Sequence, residues 1–364
     1  MSATHRKIKT LLSDGRELIY FDDADSKLGK TRKPDLREAQ PRPAVAQMRL
    51  DSLTGDWISV ASARQNRAFL PPSHLCPLCP STDSNLSEVP DDFDIAVFEN
   101  KSPSFGPKLA EHDDPGYAEV PSLELGSTRE SVGRCEVVVF SSQHEGKLAA
   151  LPISRIRNLI DVWADRTEDL QSKPGVRQVF PFENRGEQIG VTLHHPHGQI
   201  YSYPYVTPRT KALLRSIEAF GPNLFEETLK FEQAGERVLI SGKNFTAYVP
   251  FAARWPIEIH LLPHRHVQHF AQLDSEERDE LAVIYSKLLN ALDKIYDSPT
   301  PYISAWHQAP LVAGGENVRL QLQITSPRRG QDKLKFLAGS EAAMGAFIAD
   351  VTPETAANMI REAL

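Results

Sequence analysis

Apolar and polar positions along the chain form short blocks that predict strands, interrupted by two long helical stretches. Near the N-terminus, Asp14-Gly15 separates two apolar runs, residues 8–12 and 18–21, which predicts a hairpin. Residues 152–171 repeat apolar side chains at helical spacing, and Asp274-Ser275-Glu276-Glu277 opens a second long helix that runs to about Ile295. The remaining apolar runs predict strands within residues 46–61, 135–140, 176–182, 191–202, 236–241, 244–250, 256–262, 302–306 and 318–325.

Prolines and helix-capping residues complete the prediction of elements. Thr207-Pro208 and Thr352-Pro353 predict two more helix starts, a cap followed by proline in the first turn. Residues 24–45 are charged and contain three prolines, which predicts a linker or a wrapping arm. Residues 70–96 are rich in Pro, Ser and Asp and predict a long loop. Such a loop is uncommon unless it is functional or tied down, and a bound metal would tie it down.

The order of predicted elements occurs twice. Glu136 and His144 stand eight residues apart, as do Glu258 and His266, and the second pair follows the first by 122 residues. Asn184 and Trp306 share this offset, and so do the leucines that precede the two long helices. We therefore predict an internal duplication. Residues 320–323 of the second copy would then stand near the place of residues 195–197, so that only one copy keeps the chemistry.

Composition and charge narrow the class of protein. The chain has 364 residues, 40% of them hydrophobic and 24% charged, which suffices for a core and for two domains. A net charge of −7 argues against general nucleic-acid binding but not against an anionic small-molecule substrate. No apolar run approaches the ~20 residues that span a bilayer, and the first residues lack a secretory signal. With three cysteines, we expect a cytoplasmic protein that uses thiols for metal binding rather than for disulfides.

Residues 194–199, His-His-Pro-His-Gly-Gln, are the densest group of reactive side chains. In an extended segment, His195 and His197 point to the same side, so that one can bind a metal while the other attacks a substrate. Gly198 permits close approach to the backbone, and the amide of Gln199 can donate to a phosphoryl oxygen. The alternative is a surface histidine cluster or an adventitious metal site.

Cys76-Pro-Leu-Cys79 has the spacing of a zinc knuckle. There is no second cysteine pair, so the other ligands would have to be His, Asp or Glu. The spacing leaves four histidine candidates near strand ends, His144, His194, His195 and His197, and it also leaves open that the two thiols are free.

Residues 195–199, His-Pro-His-Gly-Gln, resemble the active-site signature of the galactose-1-phosphate uridylyltransferase family, a branch of the histidine-triad superfamily. Further segments are similar to the family in the same order: residues 49–57 with Arg64 and Arg67, then 97–100, 140–144, 182–186, 305–310 and 335–336. The resemblance covers about residues 46–364, and the combination is more specific than any single motif.

The resemblance implies a double displacement. His197 would attack the α-phosphorus of UDP-glucose, and the resulting uridylyl-histidine would pass the uridylyl group to galactose 1-phosphate. Gln199 would bind a phosphoryl oxygen. Positions that contact substrate in the family fall on Arg64, Arg67, Asn100, Asn184, Gly190, Thr192, Gln199, Lys335 and Phe336.

The same resemblance implies one structural zinc per chain and a homodimer. The zinc ligands fall on Cys76, Cys79, His144 and His195, a closed set of two thiolates and two imidazoles. Lys335 and Phe336 match a segment that reaches the sugar phosphate across the dimer interface, so the active site is expected near that interface.

The implied architecture is an α+β fold of two fused histidine-triad-like halves, with antiparallel sheets flanked by helices. Residues 1–45 form an N-terminal extension of hairpin and linker. Residues 46–205 form the half with the zinc site and the catalytic histidine, and residues 206–364 form the half without a nucleophile.

Some positions depart from the family pattern. Certain members bind a second metal with a glutamate and three histidines, but here Leu213, Gln321 and Gln323 replace three of these ligands beside His307. An amide is a poor ligand for a transition metal, so the second site is predicted to be absent. Ser340-Glu341 stands where some relatives have Tyr-Glu, which alters the expected sugar contacts.

The signature does not define the base. The alternatives are therefore an adenylyl-transferring relative similar to ADP-glucose phosphorylase, which would use the same histidine, and a nucleotide-binding protein without turnover.

Overall fold

The computed structural model describes residues 5–66, 69–111 and 125–364, which form sixteen strands and six α-helices. The strands are His5–Leu11 (β1), Glu17–Asp23 (β2), Gln47–Asp51 (β3), Asp56–Val60 (β4), Ile95–Glu99 (β5), Thr128–Glu130 (β6), Arg134–Val139 (β7), Gln178–Arg185 (β8), His197–Tyr203 (β9), Val238–Ser241 (β10), Phe245–Tyr248 (β11), Ile257–Pro263 (β12), Tyr302–His307 (β13), Gln321–Ser326 (β14), Arg328–Gly330 (β15) and Lys333–Leu334 (β16). The helices are Ile153–Gln171 (α1), Pro208–Phe220 (α2), Leu224–Gln233 (α3), Ser275–Leu292 (α4), Gly339–Met344 (α5) and Pro353–Ala363 (α6).

Eleven of these strands form one sheet, in the order β1-β2-β5-β7-β9-β8-β13-β14-β12-β11-β10, with antiparallel pairing throughout. Two small sheets, β4-β3-β6 and β15-β16, complete the described strands. The predicted α+β class with antiparallel sheet and flanking helices is confirmed. Among the described residues, no helix is both long enough and apolar enough to cross a bilayer.

The large sheet is built as two related halves that meet at the β8–β13 pair. On either side of this pair follow β9 and β14, then β7 and β12, then β5 and β11. Counted outward from the central pair, β7 and β12 are the third strands of the two halves. In the chain, the long helix α1 follows β7 and the long helix α4 follows β12. The duplicated order of elements expected from the sequence is therefore present, with both halves joined edge to edge.

Within the strands, residues that stand 122 positions apart are not structurally equivalent, so the offset inferred from the sequence is wrong there. The Glu136 carboxylate lies on the face covered by α1 and accepts a hydrogen bond from Arg166 Nη2 at 2.8 Å. Glu258 lies on the opposite face and accepts from the side-chain amide of Gln323 at 2.7 Å. Because neighbouring strand residues point to opposite faces, a small shift between the two copies is enough to exchange the faces.

Helices α1 and α4 cover one face of the sheet and build the main core. Trp163 of α1, Tyr285 of α4 and Trp306 of β13 contact one another through their rings, with Phe270 beside them. The predicted start of α4 is confirmed, and Asp274 caps it by accepting from the Glu277 amide at 2.9 Å. Helices α2 and α3 pack on the opposite face in the second half.

The predicted N-terminal hairpin is confirmed, and it lengthens the large sheet because β2 pairs with β5. The predicted strand–turn–strand near residue 50 is β3 and β4. Residues 24–45, predicted as a linker or wrapping arm, have no helix or strand. Ion pairs of three arginines fix this segment, namely Arg32–Asp22, Arg37–Glu88 and Arg42–Glu99. The segment thus lies along the first half rather than projecting from it.

Candidate active site

Strand β9 places the reactive side chains by simple alternation. His197, Gln199 and Tyr201 are half-buried on the face away from α1, whereas Gly198 and Ile200 are buried on the other face. A Cβ at residue 198 would lie 2.9 Å from both the ring of Phe140 and the carbonyl of Phe182. The close approach that Gly198 was expected to permit is therefore made by Phe140.

The strand predicted over residues 191–202 is wrong for its first six residues, since β9 begins at His197. In residues 191–196 the backbone makes other bonds. The Thr192 carbonyl accepts from the Leu70 amide at 2.8 Å, and the His195 carbonyl accepts from the ring of His197 at 2.7 Å. His195 thus lies in the irregular segment before β9, so the prediction that both histidines share one strand face is wrong.

The His197 ring is fixed in one tautomer. Its Nδ1 lies 2.7 Å from the His195 carbonyl oxygen, which can only accept, so Nδ1 carries the hydrogen. In the neutral ring, Nε2 then has the nucleophilic lone pair. A cavity of about 190 Å³ lies beside His197, and Asn184 also lines it. The first half thus holds an oriented imidazole at a small polar cavity.

Cys76, Cys79, His144 and His195 form a cluster whose ligand atoms all lie within 4.8 Å of one another. The Sγ–Nδ1 distances are 3.7 Å for Cys76–His195, 3.4 Å for Cys79–His195 and 3.4 Å for Cys79–His144. A tetrahedral ion with Zn–S and Zn–N bonds of ordinary length separates sulfur from nitrogen by about 3.6 Å. The cluster therefore fits a four-coordinate metal, and of the four histidines that spacing left open, the fold selects His144 and His195.

His195 is buried and oriented from both sides of its ring. Its Nε2 donates to the Ser141 carbonyl at 2.7 Å, which turns Nδ1 toward the two cysteines. Burial, together with the nearby His144, lowers the pKa of His195 to about 4, so the ring is neutral at pH 7. His194 is more than half exposed, its Nε2 is 3.5 Å from the Glu187 carboxylate, and it lies outside the cluster.

The loop that carries the cysteines is tied down by its own hydrogen bonds as well. The Leu78 amide donates to Cys76 Sγ at 3.4 Å, and the Asn85 side chain donates to the Cys76 carbonyl at 3.0 Å. The predicted long loop is confirmed except at its end, where β5 begins at Ile95, and short bridges at Pro80–Val89 and Thr82–Asn85 close it into a compact unit.

The predicted nucleotide-contacting residues that the structure describes lie in different local environments. Arg64 Nη1 is 3.4 Å from the Ser102 carbonyl, and Asn100 Oδ1 accepts from the Ser102 amide at 2.9 Å, so these two side chains meet at one residue. Gly190 has a φ of +83° after a short 3-10 turn, a conformation that favours glycine. Arg67 lies outside the described residues.

Neither Lys335 nor Phe336 lines the cavity beside His197. The Lys335 ammonium is buried, donates to the Ile348 carbonyl and lies 3.3 Å from the Glu341 carboxylate. Phe336 is 75% exposed. In the second half, Phe336 is thus exposed, whereas the neighbouring Lys335 is buried and paired within its own chain.

The four positions linked to a second metal in some relatives come together in the second half. Leu213, His307, Gln321 and Gln323 line one cavity there. His307 Nε2 donates to the Gln323 side-chain oxygen at 3.1 Å, and the Gln321 amide donates to His260 Nδ1 at 3.0 Å. The glutamines are therefore members of a hydrogen-bond network with the histidines.

Sequence reasoning missed four charged residues that line the cavity beside His197, namely Lys147, Glu183, Arg185 and Glu187. Lys147 and Arg185 both donate to Asp293, each at 2.6 Å. Glu183 is fully buried and accepts from the Tyr302 hydroxyl at 3.0 Å, and burial raises its pKa to about 7. Glu183 and Arg185 fall inside the segment 182–186 that carries the resemblance, whereas Lys147 has no signal in the sequence.

Comparison with known families decides the relationship. The family description "Galactose-1-phosphate uridyl transferase, N-terminal domain" matches residues 37–207, and the corresponding C-terminal domain matches residues 208–364. The chain belongs to the galactose-1-phosphate uridyl transferase family. The resemblance drawn from the sequence is confirmed, and with it the assignment to the transferases.

Individual relatives agree over most of the chain. A galactose-1-phosphate uridylyltransferase of Streptomyces lividans is 39% identical over 98% of both chains, and one of Thermotoga maritima is 36% identical over 87% of this chain and 98% of its own. A solved uridylyltransferase structure superposes with a TM-score of 0.74 at 30% identity, covering 87% of this chain and 98% of that one. An ADP-glucose phosphorylase of Arabidopsis thaliana, at 24% identity and a TM-score of 0.64 over 86% and 97% of the two chains, shares the fold.

Proposed function

We propose that the protein exchanges a uridylyl group between UDP-glucose and galactose 1-phosphate through a covalent intermediate on His197. Family membership supports uridylyl transfer, as do the names of the relatives. The observation that carries the assignment to this residue is the 2.7 Å hydrogen bond from His197 Nδ1 to the His195 carbonyl, beside a cavity.

The first step follows from this geometry. His197 Nε2 attacks the α-phosphorus, a phosphorus–nitrogen bond forms, and the bond to the bridging oxygen breaks, so that glucose 1-phosphate leaves with the electron pair. The ring becomes cationic, and the His195 carbonyl stabilises it by accepting the Nδ1 hydrogen bond. In the second step a phosphate oxygen of galactose 1-phosphate attacks the same phosphorus and the phosphorus–nitrogen bond breaks, which restores neutral His197. Overall, one sugar phosphate replaces another on the phosphorus, so the equilibrium constant of the exchange is close to one.

Residues around the nucleophile would stabilise the negative charge that develops on the phosphoryl oxygens. Gln199 lies two residues along the same strand face and would donate to a non-bridging oxygen. Lys147 and Arg185 place positive charge at the cavity, although Asp293 offsets part of it. The remaining nucleotide contacts are proposed for Arg64, Arg67, Asn100, Asn184, Gly190 and Thr192.

The four-residue cluster is proposed to hold one zinc ion per chain. Two thiolates and two imidazoles close a tetrahedral site and leave no position for substrate, so the metal would have a structural task. It would join the cysteine loop and the His144 segment to the residues that immediately precede His197. The second metal site of some relatives is proposed to be absent, because Leu213 and two glutamines stand at its ligand positions.

A homodimer is proposed to complete the site on its sugar side. Phe336 is exposed on a segment that in the family reaches the partner, and Lys335 would exchange its contacts with Glu341 for the sugar phosphate. A cytoplasmic location is proposed from the cysteine content. We propose no nucleic-acid or membrane partner.

Labelling with two substrates tests the reaction and the base together. We expect UDP-glucose labelled in its uridylyl group to leave acid-labile label on the wild-type protein and none on His197→Asn. Labelling from ADP-glucose alone would replace the proposal by the adenylyl reaction. Absence of label from both would leave a nucleotide-binding protein without turnover and would overturn the proposal.

A further inference from the structure

The second half contains a larger cavity than the one beside His197. Its volume is about 940 Å³, within the range of about 300–1,000 Å³ that is usual for small-molecule sites. It lies between α2, α3 and the face of β12 to β14 that is turned away from α4. Aromatic side chains form much of its wall, namely Phe220, Phe225, Phe231, Tyr248 and Phe251.

This cavity is the topological counterpart of the active site. Strand β14 occupies the place in the second half that β9 occupies in the first, next to the central β8–β13 pair. Gln321 and Gln323 lie on the face of the sheet that carries His197 and Gln199 in the first half. The two cavities share no lining residue, so the larger one is separate from the site described above.

Two arginines in the cavity wall lack an acidic partner. Arg209 on the first turn of α2 and Arg254 in the loop before β12 both line the cavity. Across the described residues, neither guanidinium forms an ion pair or donates a side-chain hydrogen bond; Arg254 lies 5.4 Å from the ring centroid of Phe347. Stacking on a ring leaves the N–H donors of a guanidinium available for an anion.

The acidic residues of the cavity are already paired. Glu232 accepts from Arg237 at 2.7 Å and Glu227 accepts from Lys230 at 2.9 Å, and neither cation lines the cavity. Glu258 accepts from Gln323 at 2.7 Å and lies 2.9 Å from His260 Nε2. Cations outside the cavity thus neutralise Glu227 and Glu232, whereas Glu258 keeps its charge and offsets only one of the two guanidiniums.

The lowered pKa values of Arg209 and His307 also indicate excess positive charge in the cavity. Although the Arg209 side chain is accessible to solvent, desolvation by the cavity walls and the nearby Arg254 lower its pKa, against the opposing effect of Glu258. Burial and the charge of Arg209 lower the pKa of His307 to about 3, so this ring stays neutral on the cavity floor. An anion bound between the arginines would relieve their mutual repulsion.

We propose that this cavity binds a phosphate monoester of a nucleoside or similar aromatic group. The phosphate would lie at Arg209 and Arg254, because guanidinium forks match phosphate oxygens. The aromatic wall would pack on the base, and the side-chain oxygen of Gln321, whose nitrogen is bonded to His260, would accept a hydrogen bond from its polar edge. The site does not depend on the reaction at His197.

Adenosine 5′-monophosphate is a suitable probe, measured by calorimetry and by amide hydrogen exchange. We expect saturable binding with protection in α2, α3 and residues 250–254. Arg209→Gln and Arg254→Gln should each weaken binding about tenfold or more, since each removes charged hydrogen bonds. Arg215→Gln is the matched control, because Arg215 is exposed on the same helix outside the cavity, and it should bind as the wild type does.

Several results would overturn the site. These are the absence of binding, equal affinity in Arg209→Gln and wild type, protection only around residues 184–199, and neutral adenosine binding as tightly as the monophosphate. Melting temperatures establish that the variants are folded. If Arg209→Gln does not fold, the test uses Arg254→Gln instead. Arg254 lies in a loop, and this substitution removes the second guanidinium.

Discussion

Residue 198 shows how a single position limits the geometry of the proposed nucleophile, His197. Between His197 and Gln199 the strand passes so close to Phe140 and to the Phe182 carbonyl that only a hydrogen fits. The sequence predicts the need for glycine here, but it does not identify the group that approaches. The tautomer of His197 likewise depends on a backbone carbonyl two residues earlier, which no side-chain pattern reveals.

Gly198→Ala should displace the strand that carries the nucleophile. The new Cβ would lie 2.9 Å from Phe140 and from a backbone oxygen, and overpacking of this kind costs about 1–3 kcal/mol. We expect a lower free energy of unfolding and slower labelling of His197, by about tenfold, because misplacement of a reacting group is costly. Gly339→Ala has open space around its Cβ and should change neither quantity. Equal labelling rates in both variants would argue against a constrained nucleophile.

Glu183 should make stability depend on pH. Burial raises its pKa from 4.5 to about 7, so the folded state retains a proton that the unfolded chain loses. Stability therefore falls as the pH rises from about 4.5 to about 7. In Glu183→Gln the difference in unfolding free energy between pH 5 and pH 8 should shrink by about 2 kcal/mol. The exposed Glu236→Gln should keep the wild-type difference, and an unchanged profile in Glu183→Gln would contradict an ionisable buried carboxyl.

At the scale of elements, the cysteine loop and the segment before β9 illustrate what sequence can and cannot predict. Apolar periodicity predicted the hairpin, both long helices and ten of the eleven strands of the large sheet, because those elements bury one face, but it missed β5, β6, β15 and β16. It failed at residues 191–196, where apolar residues continue but the backbone turns to bond Leu70 and His197. The four-residue cluster required the resemblance, since spacing alone left four histidines open.

Removal of one thiolate should release the metal and loosen the loop. We expect elemental analysis to give about one zinc per chain in the wild type, from the number of ligands, and far less in Cys76→Ser. The melting temperature of Cys76→Ser should fall, and its residual folded fraction should still label at His197. Cys135→Ser is the control, because this buried cysteine lies outside the cluster and should leave the zinc content unchanged. Two metals per chain in the wild type would contradict the single closed site.

At the scale of the whole molecule, one sheet joins two copies of the same arrangement. The repeat was visible in the order of elements, but the equivalence of Glu136 with Glu258 was wrong, because a small shift exchanged the faces on which they lie. Lys147 and Arg185 reach the site from different segments through Asp293, a connection that only the folded chain shows. The second half keeps the cavity face but carries Gln321 and Gln323 there, where the first half carries His197 and Gln199.

The proposed dimer can be tested by subunit complementation. If Lys335 acts on the partner's site, a hybrid of one His197→Asn chain and one Lys335→Ala chain contains one site with both residues intact. We expect such hybrids to regain uridylyl exchange that neither homodimer supports. Hybrids without recovered activity would place Lys335 in its own chain's site or outside the reaction.

The most direct test of the central claim is the location of the covalent intermediate. After incubation with UDP-glucose alone and an alkaline quench, peptide mass spectrometry should find one uridylyl group, bound to the imidazole of His197. The modification should disappear when galactose 1-phosphate is added. A uridylyl group on His195, on His194 or on any other side chain, or a modified His197 that galactose 1-phosphate cannot discharge, would contradict the proposed mechanism.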